Sequence, residues 1–169
     1  MRILAGRFKG QSISTSRKLS YRPTQTRIRK SIFDRIAPYR YDTVLDLYAG
    51  SGIMGFEASS RGAKSVTLVE NNKQSLTLLK ENSQKFQGVD FQCIYSDAVK
   101  YLKRENAFDL IFADPPYGWY DMDRLVKTIL DRLSNQGKFV LECPASQQPF
   151  PDTVNVIFGY TRILIWTKD

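Results

Sequence analysis

The 169-residue chain contains no histidine. Ser-His and Cys-His nucleophilic pairs and histidine general bases are therefore excluded, and a Cys/His zinc site loses half of its usual ligands. Cysteine is scarce too. Cys93 and Cys143 lie far apart, each in an apolar strand-like context, and read as buried reduced thiols rather than a disulfide framework. No apolar run approaches the roughly 20 residues of a membrane span, and the basic opening Met1–Arg7 lacks the apolar stretch of a signal peptide. These absences predict a cytoplasmic protein with no bound metal and no membrane partner. Its chemistry must run on carboxylates, backbone groups, aromatics or an organic cofactor.

Acids are nearly missing from one end of the chain. Residues 1–40 hold 11 Lys/Arg against one acid, Asp34, whereas the rest holds 14 against 16, so a slightly acidic body carries a basic segment of net +10. Such a segment could be a solvated face. Interleaved with Phe8, Tyr21, Phe33 and Tyr39, it points instead to a polyanion. The length and the 42 % hydrophobic content suit one principal core. The sequence divides into a basic extension, residues 1–41, and a body, residues 42–169, and a monomer is expected.

Residues 2–15 alternate around Gly6 and Gly10 and read as a small hairpin or arm. After Arg22-Pro23, apolar Ile28, Ile32, Phe33 and Ile36 recur at helical spacing, which predicts a helix over 24–36 with Arg27, Arg29 and Lys30 off its apolar stripe. Beyond position 42, apolar strands at 43–47, 65–70, 91–95, 108–113 and 138–142 alternate with helices near 53–61, 72–86, 97–104 and 121–134. That order predicts an α/β fold with a mostly parallel sheet and helices on both faces. Two further strands, 154–158 and 161–166, are joined by Gly159-Tyr160 without a helix and predict a terminal hairpin.

Asp46-Leu47-Tyr48-Ala49-Gly50-Ser51-Gly52-Ile53-Met54-Gly55 joins the first strand to its helix and contains G-x-G-x-x-G, and Glu70 ends the next strand. Glycines allow a tight turn and close approach of a ligand, and an acid at that distance can accept from ribose hydroxyls. The fingerprint alone suggests a dinucleotide. Asp46 argues against one, since a carboxylate beside a pyrophosphate is repelled. S-adenosylmethionine has no phosphate and carries a sulfonium and an ammonium, which suit an acid there. Asp97, after Ser96, could accept from the adenine amino group, cap a helix, or do both. Tyr48, Gly50, Ser51, Gly52, Asn71, Ser96 and Ala98 complete the expected donor contacts.

Asp114-Pro115-Pro116-Tyr117 follows the fourth strand of the body directly. An exocyclic base amine is a poor nucleophile because its lone pair is delocalised into the ring. Hydrogen bonds from its N–H groups to the Asp114 carboxylate and the Pro115 carbonyl would localise that pair and stabilise the charge that develops on nitrogen. Pro115 and Pro116 fix the backbone, and Tyr117 offers a face for stacking.

The strand-tip acid, glycine loop, ribose acid and DPPY resemble class I S-adenosylmethionine-dependent methyltransferases that act on exocyclic amines. Ile3-Leu4-Ala5-Gly6-Arg7-Phe8-Lys9-Gly10, Arg22-Pro23-Thr24-Gln25-Thr26-Arg27-Ile28-Arg29 and Ser60-Arg61-Gly62-Ala63 resemble the bacterial small-subunit rRNA guanine-N2 methyltransferase (RsmD) family. The resemblance implies a Rossmann-like seven-stranded sheet with a reversed last strand, a guanine target in 16S rRNA, and a substrate held in a ribosomal assembly particle. Gln25-Thr26, Asp34 and Tyr160 depart from the family pattern. Lys9, Arg22, Thr24, Arg27 and Arg29 are the residues expected to meet RNA. The competing readings are an adenine-N6 or cytosine-N4 amino-methyltransferase of DNA or RNA, a protein-glutamine methyltransferase, and an RNA-binding module without activity.

Overall fold

A computed structural model describes residues 1–16, 24–116, 118 and 121–169. Arg22 and Tyr117, both expected at the site, lie outside the described residues. Seven strands form one sheet: β1 (Thr43–Leu47), β2 (Ser65–Glu70), β3 (Asp90–Tyr95), β4 (Phe108–Ala113), β5 (Leu133–Pro144), β6 (Val154–Phe158) and β7 (Thr161–Thr167). Their order is β3-β2-β1-β4-β5-β7-β6. Strands β1 to β5 are parallel, and β7 runs antiparallel to both β5 and β6. This is the expected α/β architecture with its reversed last strand.

Helices α1 (Thr26–Arg35), α2 (Ile53–Ser60), α3 (Lys73–Ser83), α4 (Ala98–Tyr101) and α5 (Met122–Leu130) cover the sheet. Central strands buried on both faces are nearly continuous apolar runs, as parallel sheets require. The two faces carry separate cores. One joins Ile28, Ile32 and Phe33 of α1, Phe56 of α2 and Leu79 of α3 to Val44, Leu68, Phe112 and Val140. The other joins Tyr101 and the apolar side of α5 to Leu45, Ile111, Phe139 and Trp166. Ile3 and Ile13 from the first residues belong to the first core, beneath a loop closed by the Arg2–Ser12 bridge.

Two elements differ from the sequence reading. The helix expected over 121–134 stops at Leu130, and β5 begins at Leu133 rather than 138. Polar Ser134, Asn135 and Gln136 interrupt the apolar pattern there. The register with β4 also slips, from Phe108 opposite Leu133 to Leu110 opposite Lys138, with Gln136 at φ 59°. A bulge of this kind breaks period-two alternation without ending the strand. The second difference is α4, a single turn where eight residues of helix were expected.

Candidate active site

The glycine loop forms where β1 gives way to α2. Ala49 N–H donates to Val69 O at 3.0 Å and Gly52 N–H to Ala49 O at 2.7 Å, so the loop bends back over the ends of β1 and β2. Gly52 caps α2 with φ 73°, and a Cβ there would fall 2.5 Å from Leu79 Cδ2 and 2.7 Å from Phe56 Cε2. Tyr48 also holds a left-handed φ of 58°. A side chain in that region costs roughly 1–2 kcal/mol, so the loop is fixed by its surroundings. Ser51 is buried within it, and Asn71, just past β2, is exposed.

Side chains alternate between faces along a strand, and this sets out four carboxylates in a row. Asp46 shares the α1–α2–α3 face with Val44, Glu70 with Leu68, and Glu142 with Val140. Asp114 continues the same alternation after Phe112. Phe112 is in register with both Asp46 and Val140, and the last β4–β5 pair is Ala113 opposite Leu141, so Asp114 leaves β4 one residue past the point where β5 continues to Glu142. Across β2-β1-β4-β5, the carboxyl edge therefore presents Glu70, Asp46, Asp114 and Glu142.

Their surroundings differ. Asp46 is 4 % exposed, and its Oδ2 accepts from Gly55 N–H at 3.0 Å. Burial pushes its pKa up to about 8. The Gly55 bond works against that shift, and the charges of Asp114 and Glu70 add to it. No ion pair with Asp46 forms among the described residues. Glu70 Oε2 accepts from Gly50 N–H at 2.8 Å, and its Oε1 from Asn72 N–H at 2.8 Å. Each carboxylate oxygen has a further acceptor position, so Glu70 can tether the loop and still receive ribose hydroxyls. S-adenosylmethionine fits this donor set. A buried carboxylate flanked by two others, with no cation among its described neighbours, favours a ligand that brings a sulfonium and an ammonium.

Ser96 Oγ donates to Asp97 O at 2.9 Å, and Asp97 Oδ1 accepts from Lys100 N–H at 3.0 Å, which makes Asp97 the α4 cap. Ala98 is buried beside it. Pro115 is buried whereas Asp114 and Pro116 are exposed, so the backbone of this turn is embedded and its carboxylate faces outward.

The basic segment is built differently from the expectation. Lys9 and Arg27 are exposed, and so is Lys30. Arg29 is not: at 2 % exposure it belongs to the interior. Its Nη2 donates to Arg2 O at 2.7 Å, and its Nε lies 3.7 Å from Glu57 Oε2. A guanidinium enclosed in this way cannot reach a phosphate, so Arg29 is a structural cation rather than an RNA contact. The helical wheel placed it off the stripe because it could not show the carboxylate waiting on α2. Thr24, also expected at RNA, donates from Oγ1 to Glu142 Oε2 at 3.0 Å.

Sequence reasoning missed two acids. Glu57 is fully buried in α2 and accepts from Leu4 N–H at 2.8 Å, from Ala5 N–H at 3.1 Å, and from Arg61 Nε at 2.9 Å. Glu142 is a lone acid in an apolar strand, and its place beside Asp114 follows only from the β4–β5 register. The signal for Glu57 was the one acid in a mostly apolar helix, three residues before Ser60 and four before Arg61.

The chain matches the family model described as conserved hypothetical protein 95 over residues 1–160. It is 35 % identical over 137 residues to ribosomal RNA small subunit methyltransferase D of Buchnera aphidicola, covering 79 % of this chain and 70 % of that one. Among solved structures, the Thermus thermophilus hypothetical protein TTHA0928 superposes with a TM-score of 0.85 at 28 % identity, covering 98 % of both chains. The Thermus thermophilus 16S rRNA N2 G1207 methyltransferase RsmC, solved with AdoMet and guanosine, shares the fold at a TM-score of 0.66 and 23 % identity over 83 % of this chain and 41 % of its own. The chain belongs to the conserved hypothetical protein 95 family, that of the small-subunit ribosomal RNA methyltransferase D enzymes.

Proposed function

We propose that this enzyme transfers a methyl group from S-adenosylmethionine to the exocyclic N2 of a guanine in small-subunit rRNA. The observation that carries the reading is the carboxylate row at the edge of the sheet. Asp46 and Glu70 border the glycine loop, and Asp114 stands one strand further on, at the turn that carries the DPPY. Gly50, Ser51, Gly52 and Tyr48 shape the donor loop, Glu70 and Asn71 border the ribose, and Ser96, Asp97 and Ala98 border the adenine.

When bound, the donor supplies a methyl carbon already activated by a positive sulfur. The chain's part is to prepare the nucleophile. Asp114 accepts one N–H of the amine and the Pro115 carbonyl accepts the other. With the donor held by Asp46, Glu70 and Asp97, the nitrogen lone pair would take up its methyl group and the donor would depart as the neutral thioether. The surplus proton leaves the nitrogen along the Asp114 hydrogen bond. Embedding of Pro115 in the core fixes the carbonyl, so that little reorganisation is needed at the moment of transfer. Tyr117 provides the stacking face and Pro116 stiffens the approach.

Residues 1–41 recognise RNA, through Lys9, Arg22 and Arg27 at phosphates, and residues 42–169 bind the donor and catalyse. A recognition surface this small favours an unstacked loop base held in a fixed shape, and so an assembly particle over protein-free rRNA. The enzyme works as a cytoplasmic monomer. The test is to incubate particles, protein-free 16S rRNA and duplex DNA with labelled donor and to digest each product to nucleosides. Label in N2-methylguanine, highest from particles, is expected. Label in N6-methyladenine or N4-methylcytosine would refute the target, and faster labelling of naked RNA would refute the particle.

A further inference from the structure

Asp114 and Pro115 accept N–H bonds that guanine, adenine and cytosine all offer, so they grip an amine without choosing a base. The three bases differ at the ring atom beside that amine. In guanine it is N1–H, a donor, whereas adenine N1 and cytosine N3 are acceptors. A protein group that reads this difference must be an acceptor placed next to the one that holds the amine.

Glu142 meets that requirement by position and by chemistry. It lies on the neighbouring strand, on the face that Val140 shares with Phe112, one residue past the last β4–β5 pair, Ala113 opposite Leu141, where Asp114 leaves β4. Its side chain is half-buried. Thr24, two residues before α1, donates to its Oε2 at 3.0 Å. That bond fixes one carboxylate oxygen and ties it to the segment carrying exposed Arg27 and Lys30. A carboxylate has two oxygens with about four lone-pair sites, so Glu142 can accept a base N–H alongside the contacts it already makes, and as an acceptor-only group it repels an unprotonated ring nitrogen.

On the guanine reading above, we infer that Glu142 determines specificity by accepting the N1–H of the target base while Asp114 and Pro115 hold its N2 amine. Thr24 is a positioning residue for that carboxylate. Docking of RNA on α1 and reading of the base then share a direct link, because the residue that leads into the helix also orients the acceptor.

The test uses small-subunit particles from cells lacking the protein, in which the guanine methylated by the wild-type enzyme is mapped first. Particles are then reassembled with ligated rRNA carrying either guanosine or 2-aminopurine riboside at that position. The analogue keeps the N2 amine but has an unprotonated N1. Wild-type enzyme should favour guanosine in kcat/KM by roughly 10–100-fold, the scale of one charge-assisted hydrogen bond. Glu142→Ala should erase most of that preference. Glu142→Gln should shrink or invert it, because the carboxamide N–H can donate to N1 of the analogue. Thr24→Val should shrink it in part. Donor affinity by calorimetry shows that each variant is folded, and the near-isosteric Glu142→Gln decides the matter if Glu142→Ala does not fold. An unchanged ratio in the folded Glu142 variants, or equal loss of both substrates down to no label, overturns the role. Wild-type labelling of an adenine or cytosine instead of a guanine overturns the guanine reading and this inference together, and does so at the mapping step.

Discussion

Asp46 is a carboxylate kept where water cannot reach it, and its cost can be read as a pH dependence. Its pKa rises from 3.8 to about 8 in the folded chain, chiefly through burial. A raised carboxyl pKa means that the folded state holds a proton the unfolded state releases. The contribution to stability is full below about pH 4 and drains away as pH climbs toward 8. Asp46→Asn keeps an oxygen acceptor for Gly55 N–H and carries no charge. Without donor, its unfolding free energy in chemical denaturation should gain on wild type steadily from pH 6 to pH 8, by at most about 1.4 kcal/mol per pH unit. The same variant should lose donor affinity. A pH-independent difference would mean that Asp46 is already ionised in the free protein. Asp114, exposed at the reacting edge, should behave in the opposite way. Asp114→Ala is expected to leave donor affinity near wild type in calorimetry and to lower single-turnover methylation by about 10²–10³-fold. Near-normal turnover would remove it from the mechanism.

Helix α2 is the element on which the two halves of the protein meet. Its first turn closes the glycine loop, and its last turn holds the N-terminal arm. Arg7 N–H donates to Ser60 O at 2.7 Å, Phe8 N–H to Ser60 Oγ at 2.8 Å, and Ser60 Oγ to Ala5 O at 2.6 Å. Gly6 approaches so closely that an added Cβ would sit 1.9 Å from Ser60 O, at φ 84°. Arg61 stacks over Phe33 of α1 at 4.5 Å and pairs with Glu57. Glu57→Ala leaves the enclosed Arg29 without its carboxylate and should cost about 3–5 kcal/mol in chemical denaturation. A loss below ~1 kcal/mol would show that water replaces the carboxylate, as it does in exposed pairs. The family-like run Ser60-Arg61-Gly62-Ala63 was visible in the sequence, but its work was not, because the arm residues that Ser60 holds lie more than 50 residues away in the chain. Regular elements were legible for the opposite reason. Strands β1, β2, β4 and β6 are apolar runs bounded by turn residues, and their limits were read correctly. β5 was cut short because three polar residues sit inside its bulge. Glu142 carried no local signal, since only strand register makes it a neighbour of Asp114.

At the scale of the whole molecule, the charge asymmetry of the sequence becomes a division of labour among cations. Exposed Lys9 and Arg27 remain available to a polyanion, Lys30 is exposed but paired with Asp34 at 2.7 Å, and Arg29 is consumed by the interior. RNA binding should separate the two kinds. Replacing Lys9 and Arg27 by Ala should flatten the log–log salt dependence by roughly 0.7–0.9 for each phosphate no longer neutralised. Arg29→Met should leave the slope unchanged in folded protein and show its effect in thermal stability instead. A slope change at Arg29, or none at Lys9 and Arg27, would reverse the assignment. Two anchors of the arm also lie beyond α2. Ser14 N–H donates to Asn82 Oδ1 at 2.9 Å, and Arg7 Nη2 donates to Gln87 O at 2.9 Å. Residues 1–16 are thus fastened in full only when α2 and α3 are both in place. Cutting the two distal anchors, at Asn82 and Gln87, would leave the arm held by α2 alone, through Glu57 and Ser60.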